Sequence, residues 1–269
     1  ATSNPLSVSP LVRIHQLVDV IPYWPEWIVM SFTALLYFVL TFGWNFDDKC
    51  PKGYIGPGGL ANNMSHIHCT GGAAAYIDRW LLGEKHLYPY FTGNRLYDPV
   101  GQFGLLHDPE GVLGTTTSIL LTFFGLQMGK ILIAYPSPKQ RIVRWLSWAA
   151  ILGALAALFA ATGWIPINKN LWSFSFICLT SASACVAISL LYYLVDVARV
   201  WPNGQPFHYP GMNSILLYIG HELTSSMLPW SFNVDETSHV GPLARNLVAT
   251  TLWFVISVRL AQNNFFLTV

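Results

Sequence analysis

Six apolar runs of about 20 residues each constrain the fold of this chain more than any other feature of its sequence. Each run is long enough to cross a hydrocarbon core of about 30 Å as a helix. Only 10% of the residues are charged, against about 25% in an average soluble domain. We therefore predict an all-α membrane protein with about six transmembrane helices. The predicted spans are residues 27–44, 112–134, 143–164, 171–195, 212–230 and 243–260.

The connections between these runs are very unequal, which suggests how the chain is organised. Residues 45–110 form one long loop, whereas the other connections are short turns with proline or glycine. We expect a cytosolic or interfacial segment (1–25), a first helix (26–44), the long loop and a bundle of five helices (111–269). The net charge of +1 gives no reason to expect a nucleic-acid partner.

Basic residues indicate the orientation of the chain in the membrane. The positive-inside rule places the side with more lysine and arginine in the cytosol. That side has both termini, and the long loop then lies outside the cell or in a lumen. Its basic residues are Arg13, Lys139, Arg141, Arg144, Arg199 and Arg259, against Lys169 and Arg245 in the opposite short connections.

Two features of the long loop agree with a luminal position. Cys50 and Cys69 both lie in it, and a disulfide between them suits an oxidising compartment, with a pair of free thiols as the alternative. Asn63 begins the sequence Asn-Met-Ser, an N-glycosylation acceptor that is meaningful only on a luminal face. Chance occurrence is the alternative for this short motif.

His221 and Glu222 are adjacent ionisable residues inside the fifth apolar run. Ionisable groups within a membrane segment are costly and usually face a protein interior or a water-filled cavity. Neighbours on a helix point about 100° apart, so the two side chains do not share one narrow face. A catalytic base or proton relay is one interpretation, and a structural hydrogen-bonding pair between helices is the other.

Two helix starts are further candidate sites. Asn213 and Ser214 follow Pro-Gly at the cytosolic start of the fifth run, where free N–H groups suit a phosphate or serve ordinary capping. Asn168, Lys169 and Asn170 precede the fourth run on the luminal side. They are candidates for a site, or form a polar turn with a snorkelling lysine.

The long loop contains the remaining candidates. Its charged residues Asp78, Arg79, Asp108 and Glu110 suit a polar substrate, or form salt bridges that order the loop. Glycine-rich stretches surround them and allow close approach of the backbone. The histidines of the loop match no zinc signature in their spacing, so we predict no metal site.

Long motifs of the loop carry a resemblance. The run GYIGPGG…CTGGAAAYIDRWLLGEKHLY…YDPVGQFGLLHDPEGVLGTTTSI resembles the luminal loop of the heparan-α-glucosaminide N-acetyltransferase family. INKNLWSFS and PFHYPGMNSILLYIGHE resemble two further segments of that family. The resemblance extends over essentially the whole chain but only about the C-terminal half of the family's proteins.

The resemblance implies a lysosomal membrane enzyme, a homodimer in contact with membrane lipid. Such an enzyme moves acetyl groups from cytosolic acetyl-CoA to the terminal glucosamine of heparan sulfate. Asn213, Ser214 and Arg259 are then candidates to bind acetyl-CoA. Asp78, Arg79, Asp108, Glu110 and Lys169 are candidates to bind the heparan sulfate oligosaccharide. His221, Glu222, Asn168 and Asn170 become supporting groups that orient or polarise.

One departure from the family affects the predicted chemistry. The family's catalytic histidine lies in an earlier luminal loop, and no residue of this sequence matches it. We therefore expect the chain to work with an N-terminal chain or segment of the same enzyme. A proton-coupled secondary transporter and a structural membrane subunit are the alternative functions; the former suits an intramembrane His and Glu but lacks a visible inverted repeat.

Overall fold

Helices and turns account for the residues that the computed structural model describes, which are 17–88, 93–235 and 238–267; no strand occurs among them. The predicted all-α class is confirmed. The chain divides into a first unit that ends at Leu190 and a second that begins at Leu191. Most of the predicted cytosolic segment, residues 1–16 with Arg13, lies outside the described residues.

The first unit contains the helices α1 to α6. Helix α1 (Trp24–Phe38) follows a 3₁₀ turn and continues into a π-helical turn, so that one helical stretch spans Ile21–Gly43. The long loop contains α2 (Gly72–Leu82) and the short α3 (Asn94–Tyr97). Three long helices follow: α4 (Val112–Ala134), α5 (Pro138–Ala161) and α6 (Phe174–Tyr192), of which the last two residues begin the second unit.

The second unit contains three further helices. They are α7 (His208–Met212), α8 (Ser214–Thr224) and α9 (Val240–Gln262), and both short helices pack against α9. Gly220 permits the contact of α8 with α9, because a Cβ there would lie 2.2 Å from Cη2 of Trp253. The indoles of Trp230 and Trp253 stack beside it, with centroids 5.5 Å apart.

Five of the described helices are long and apolar enough to cross a membrane, where the sequence predicted about six. The predicted span 212–230 is the difference, because helix α8 has only 11 residues. At 1.5 Å per residue it extends about 16 Å, about half of a hydrocarbon core. Asn213 interrupts the helix at its start with φ −125° and ψ 33°. At its end Ser225 donates its hydroxyl to the carbonyl of Glu222, an alternative partner to the helical N–H.

Apolar contacts hold the first unit together. Helix α1 packs along α4, and α2 of the long loop also lies against α4. Tyr37, Ile77 and Leu113 form a buried cluster at this junction. Many apolar side chains elsewhere on the long helices are exposed, such as Ile133 with 87% of its surface accessible. A membrane-facing surface accounts for such exposure, because lipid favours apolar contact.

A buried carboxylate fixes the residues that precede α1 onto α4 and α5. Asp19 is fully buried and accepts hydrogen bonds from Gln127 Nε2 at 2.8 Å and from the Tyr135 hydroxyl at 2.8 Å. Nε of Arg144 completes the cluster at 3.1 and 3.2 Å from the two carboxylate oxygens. Arg144, which the sequence marked only as a cytosolic charge, therefore neutralises a buried acid.

A second ion pair lies nearby, and its acidic partner is much more exposed than Asp19. Lys130 pairs with Glu26, whose side chain retains 42% of its exposure. The ammonium of Lys130 also lies 3.8 Å from the centre of the Tyr23 ring. Both clusters attach the start of α1 to α4, so residues 17–26 belong to the packed structure.

Candidate functional site

The long loop and the turn between α5 and α6 together enclose a cavity of about 440 Å³. Four stretches of the loop and one of the turn form its wall, although more than 100 residues separate the first from the last. The lining residues are Ile55, Gly56, Pro57, Gly71, Gly93, Leu96, Tyr97, His107, Pro166, Ile167, Asn168, Asn170 and Leu171. Most belong to the glycine-rich and INKN motifs that the sequence marked.

Glycines allow the loop stretches to approach one another closely. Gly72 has φ +56°, and a Cβ there would lie 1.8 Å from the carbonyl oxygen of Tyr54. A Cβ at Gly59 would lie 2.2 Å from the carbonyl oxygen of Tyr97. The predicted disulfide between Cys50 and Cys69 is confirmed, and it joins the two glycine-rich stretches.

His107 lines this cavity, although the sequence noted it only as one of the loop histidines without a zinc signature. Its ring is buried, and Nε2 lies 2.8 Å from the carbonyl oxygen of Asn170, so that the N–H donates to it. Gly71 lies against the other side, since a Cβ there would be 2.7 Å from Nδ1. Burial lowers the pKa of His107, which favours the neutral imidazole. In the sequence of the loop, the glycines near His107 were the signal that its ring would be tightly packed.

The INKN turn is held in place by several polar contacts. Ser173 Oγ accepts from the Asn168 N–H at 3.0 Å and donates to the Pro166 carbonyl at 2.8 Å. The side-chain oxygen of Asn168 accepts from the Asn170 N–H at 2.9 Å. Asn168 and Asn170 therefore both reach the cavity as components of a fixed turn. Lys169 is exposed and is not part of the cavity wall.

The charged residues of the long loop that were predicted to bind substrate lie in different environments. Asp78 is fully buried and its Oδ1 accepts the Val112 N–H at 2.8 Å, which fixes the start of α4. Burial raises the pKa of Asp78. Arg79 is partly buried, and burial lowers its pKa against the opposing effect of nearby Glu84. Asp108 accepts the Glu110 N–H at 2.9 Å.

Glu110 lines a second, smaller cavity of the first unit. This cavity has a volume of about 220 Å³ and lies at the start of α4. The lining residues are Glu110, Gly111, Gly114, Thr115, Ser118 and Trp172. Segments 107–111 and 168–172 contribute to both cavities of the first unit.

The second unit has its own cavity, between α8 and α9, with a volume of about 770 Å³. Its wall is mainly aromatic and apolar, with the side chains of Tyr218, Trp230, Trp253 and Phe254. His221 lines it, whereas Glu222 does not. Nε2 of His221 lies 3.4 Å from Oε1 of Glu222, and both side chains are about half exposed. The pair is therefore in contact, with only the histidine facing the cavity.

The residues predicted to bind the cofactor differ in burial within the second unit. Asn213 is fully buried; its Nδ2 donates to the Phe265 carbonyl at 2.9 Å, and its Oδ1 accepts the Leu267 N–H at 3.0 Å. It thus attaches the chain after α9 to the start of α8. Ser214 is exposed beside it, and Arg259 is exposed on α9, where Nη1 lies 3.3 Å from Oε1 of Gln262.

The predicted glycosylation site lies in a tight turn of the long loop. Asn63 is exposed within the 3₁₀ turn Ala61–Met64. A surface position is what glycosylation requires, so Asn63 stays a prediction. No group of three metal-ligating side chains occurs in the ranges that the structure describes.

Comparison with known proteins supplies two relatives. The chain is 43% identical over 256 residues to heparan-alpha-glucosaminide N-acetyltransferase of Mus musculus and 42% identical to that of Homo sapiens. Each match includes 93% of this chain and 38% of the relative's length. No protein-family model matches the chain. The resemblance predicted from the sequence motifs is confirmed, and the chain spans about two fifths of these N-acetyltransferases.

Proposed function

Because the chain is homologous to heparan-α-glucosaminide N-acetyltransferases along 93% of its length, we propose that it forms part of such an enzyme. In this proposal, acetyl-CoA is the donor, and the terminal glucosamine amine of heparan sulfate is the acceptor. The enzyme acts in the lysosomal membrane. The observation that carries the proposal is the 440 Å³ cavity, since the motifs shared with that family come together in its wall.

The acceptor is assigned to the 440 Å³ cavity formed by the long loop and the INKN turn. Saccharides present many hydroxyl groups, which need hydrogen-bonding partners when they leave water. Backbone groups of the glycine-rich turns and the amides of Asn168 and Asn170 supply such partners. His107 acts as a positioning residue, because its bond to the Asn170 carbonyl holds the INKN turn against the loop.

The thioester arm of the donor is assigned to the cavity of the second unit. A flexible, mainly apolar arm suits its aromatic wall, and His221 offers a polar group along it. Ser214 and Arg259 remain candidates for the CoA phosphates because their polar groups are exposed. Asn213 has a different role in this proposal: its amide holds the start of α8, so it positions Ser214.

The reaction joins the sugar amine to the thioester carbonyl and releases CoA as a thiol. A base whose pKa lies near the operating pH must remove a proton from the amine. We propose that an N-terminal segment or chain of the enzyme supplies the catalytic histidine, while His221 and Glu222 support the transfer. Homodimer formation, contact with membrane lipid and glycosylation at Asn63 belong to the same proposal.

An acetyl-transfer assay tests the proposal. Labelled acetyl-CoA and glucosamine are offered to the chain alone, and to the chain together with an N-terminal portion of the enzyme. We expect product only from the combined protein. Robust transfer by the chain alone removes the N-terminal histidine from the proposal, and absence of transfer by the combined protein refutes the acetyltransferase assignment. Thermal stabilisation of the combined protein by acetyl-CoA separates the enzyme from a carrier of unrelated solutes.

A further inference from the structure

The 220 Å³ cavity at the start of α4 combines side chains that the proposed function leaves unused. Its wall contains the indole of Trp172, the hydroxyls of Thr115 and Ser118, and the carboxylate of Glu110. An aromatic face and a carboxylate are the two groups that attract an organic ammonium ion in proteins. The hydroxyls add donors and acceptors for a polyhydroxylated ligand.

Trp172 is held in an unusual conformation that fixes its indole in this wall. Its φ is +46°, in the left-handed region that bulky residues rarely adopt. The ring packs over Gly114, where a Cβ would lie 3.5 Å from Cδ1, and it meets the ring of Phe176 edge-on at 5.9 Å. The Trp172 N–H donates to the Lys169 carbonyl at 3.0 Å. Such outliers persist where the surroundings enforce them, and they cluster at binding sites.

Glu110 is held beside this wall by its own backbone. Its N–H donates to Oδ1 of Asp108 at 2.9 Å, which fixes the turn before α4. The Glu110 side chain is exposed, so a ligand reaches it from solvent. Asp108 adds a second negative charge nearby, and the opening of the cavity therefore favours a cation.

We propose that this cavity is an amino-sugar subsite, in which Trp172 lies against the sugar ring and Glu110 faces its ammonium group. The inference rests on the proposed function and deepens it, because it names the group by which the acceptor is recognised. The subsite distinguishes substrate from product, since acetylation converts the cationic amine into a neutral amide. The remainder of the oligosaccharide extends into the 440 Å³ cavity, to which the same two segments contribute.

Kinetics of the combined protein with three variants and two control variants test this subsite. Glu110→Gln should raise the KM for glucosamine by roughly 3- to 10-fold, as for a partly exposed charge pair, and leave the KM for acetyl-CoA unchanged. Trp172→Leu should raise the KM for glucosamine about 10-fold. Trp172→Phe should raise it by less, because the phenylalanine ring keeps an aromatic face. The controls are Glu84→Gln and Trp80→Phe, exposed residues of the same loop that do not line the cavity.

Equal effects of Glu110→Gln and Glu84→Gln on the glucosamine KM would overturn the inference. If Trp172→Leu fails to fold, Trp172→Phe and Glu110→Gln still decide the result.

Sugar binding to the protein gives a readout that does not depend on catalysis. Saturation-transfer NMR with glucosamine, glucose and N-acetylglucosamine should show the strongest signal for glucosamine, reduced by Glu110→Gln. Equal signals for the three sugars would refute the subsite even in an active enzyme. Preference for glucosamine in a protein without transfer activity would refute the proposed function and keep the subsite.

Discussion

The buried Asp19 cluster leads to a prediction about the stability of the first unit. The carboxylate is fully buried, and three side chains from α4, α5 and the turn between them donate to it. Asp19→Asn keeps one acceptor oxygen. Its NH₂ group, however, cannot accept the hydrogen bonds that the second carboxylate oxygen accepts from these donors. Removal of one partner of a buried ion pair costs about 3–5 kcal/mol. Arg144 retains 21% of its exposure and can recover some hydration, so we expect a loss of about 3 kcal/mol.

The measurement is thermal unfolding in detergent micelles, followed by tryptophan fluorescence. At about 2–4 °C per kcal/mol, Asp19→Asn should lower the Tm by roughly 6–12 °C. The comparison is Glu26→Gln, which removes a carboxylate that is 42% exposed but leaves Lys130, which is 10% exposed, so we expect a smaller loss of about 1–2 kcal/mol. The double variant Asp19→Asn with Arg144→Gln should lose less than the sum of the single variants, because the two residues share one interaction.

Two results would refute the reasoning. A loss for Glu26→Gln as large as that for Asp19→Asn would show that burial does not set the difference. Additive losses in the double variant would show that Asp19 and Arg144 do not stabilise the unit through each other.

Four further outcomes are expected. His107→Phe should raise the KM for the acceptor and His107→Gln should restore it by keeping an N–H donor, which steady-state kinetics would show; equal defects would contradict the role of that bond. Gly220→Ala should cost about 1–3 kcal/mol through overlap with Trp253, seen as a lower Tm. Burial raises the folded-state pKa of Asp78, so its protonation stabilises the fold below its ordinary pKa, and this contribution is lost as pH rises through the folded value. Asp78→Asn should therefore gain stability relative to the parent protein between acid and neutral pH, measured as Tm against pH. Asn63→Gln should abolish a glycosidase-sensitive mobility shift on a gel.

The fold class followed from the sequence because apolar runs report directly on membrane spans. The exception was the run 212–230, in which hydropathy did not reveal that the helix is confined to Ser214–Thr224, with non-helical backbone at Asn213 and a turn from Ser225 onward. At its start Asn213 bonds to residues 265 and 267, about 50 positions away. Local sequence contains no trace of such a contact.

The candidate site was predictable in its motifs but not in its contacts. The glycines and the INKN turn, which the sequence offered as candidates, meet in one cavity. Asp78 looked like a substrate ligand because it stands beside Arg79, yet it binds the N–H of Val112 at the start of α4. His107 looked unremarkable because its partner, Asn170, lies 63 residues further along the chain.

The separation of 63 residues between His107 and Asn170 has a consequence for the biosynthesis of the protein. Cys50 and Cys69 are 19 residues apart and can pair as soon as both have been made. His107 must wait for Asn170, and therefore for the synthesis of α4 and α5. At about 5–20 residues per second, the wait is roughly 3–13 s, during which the loop has its covalent link but an unfinished cavity. A chain in which α5 fails to reach its place is therefore expected to keep the loop in that state.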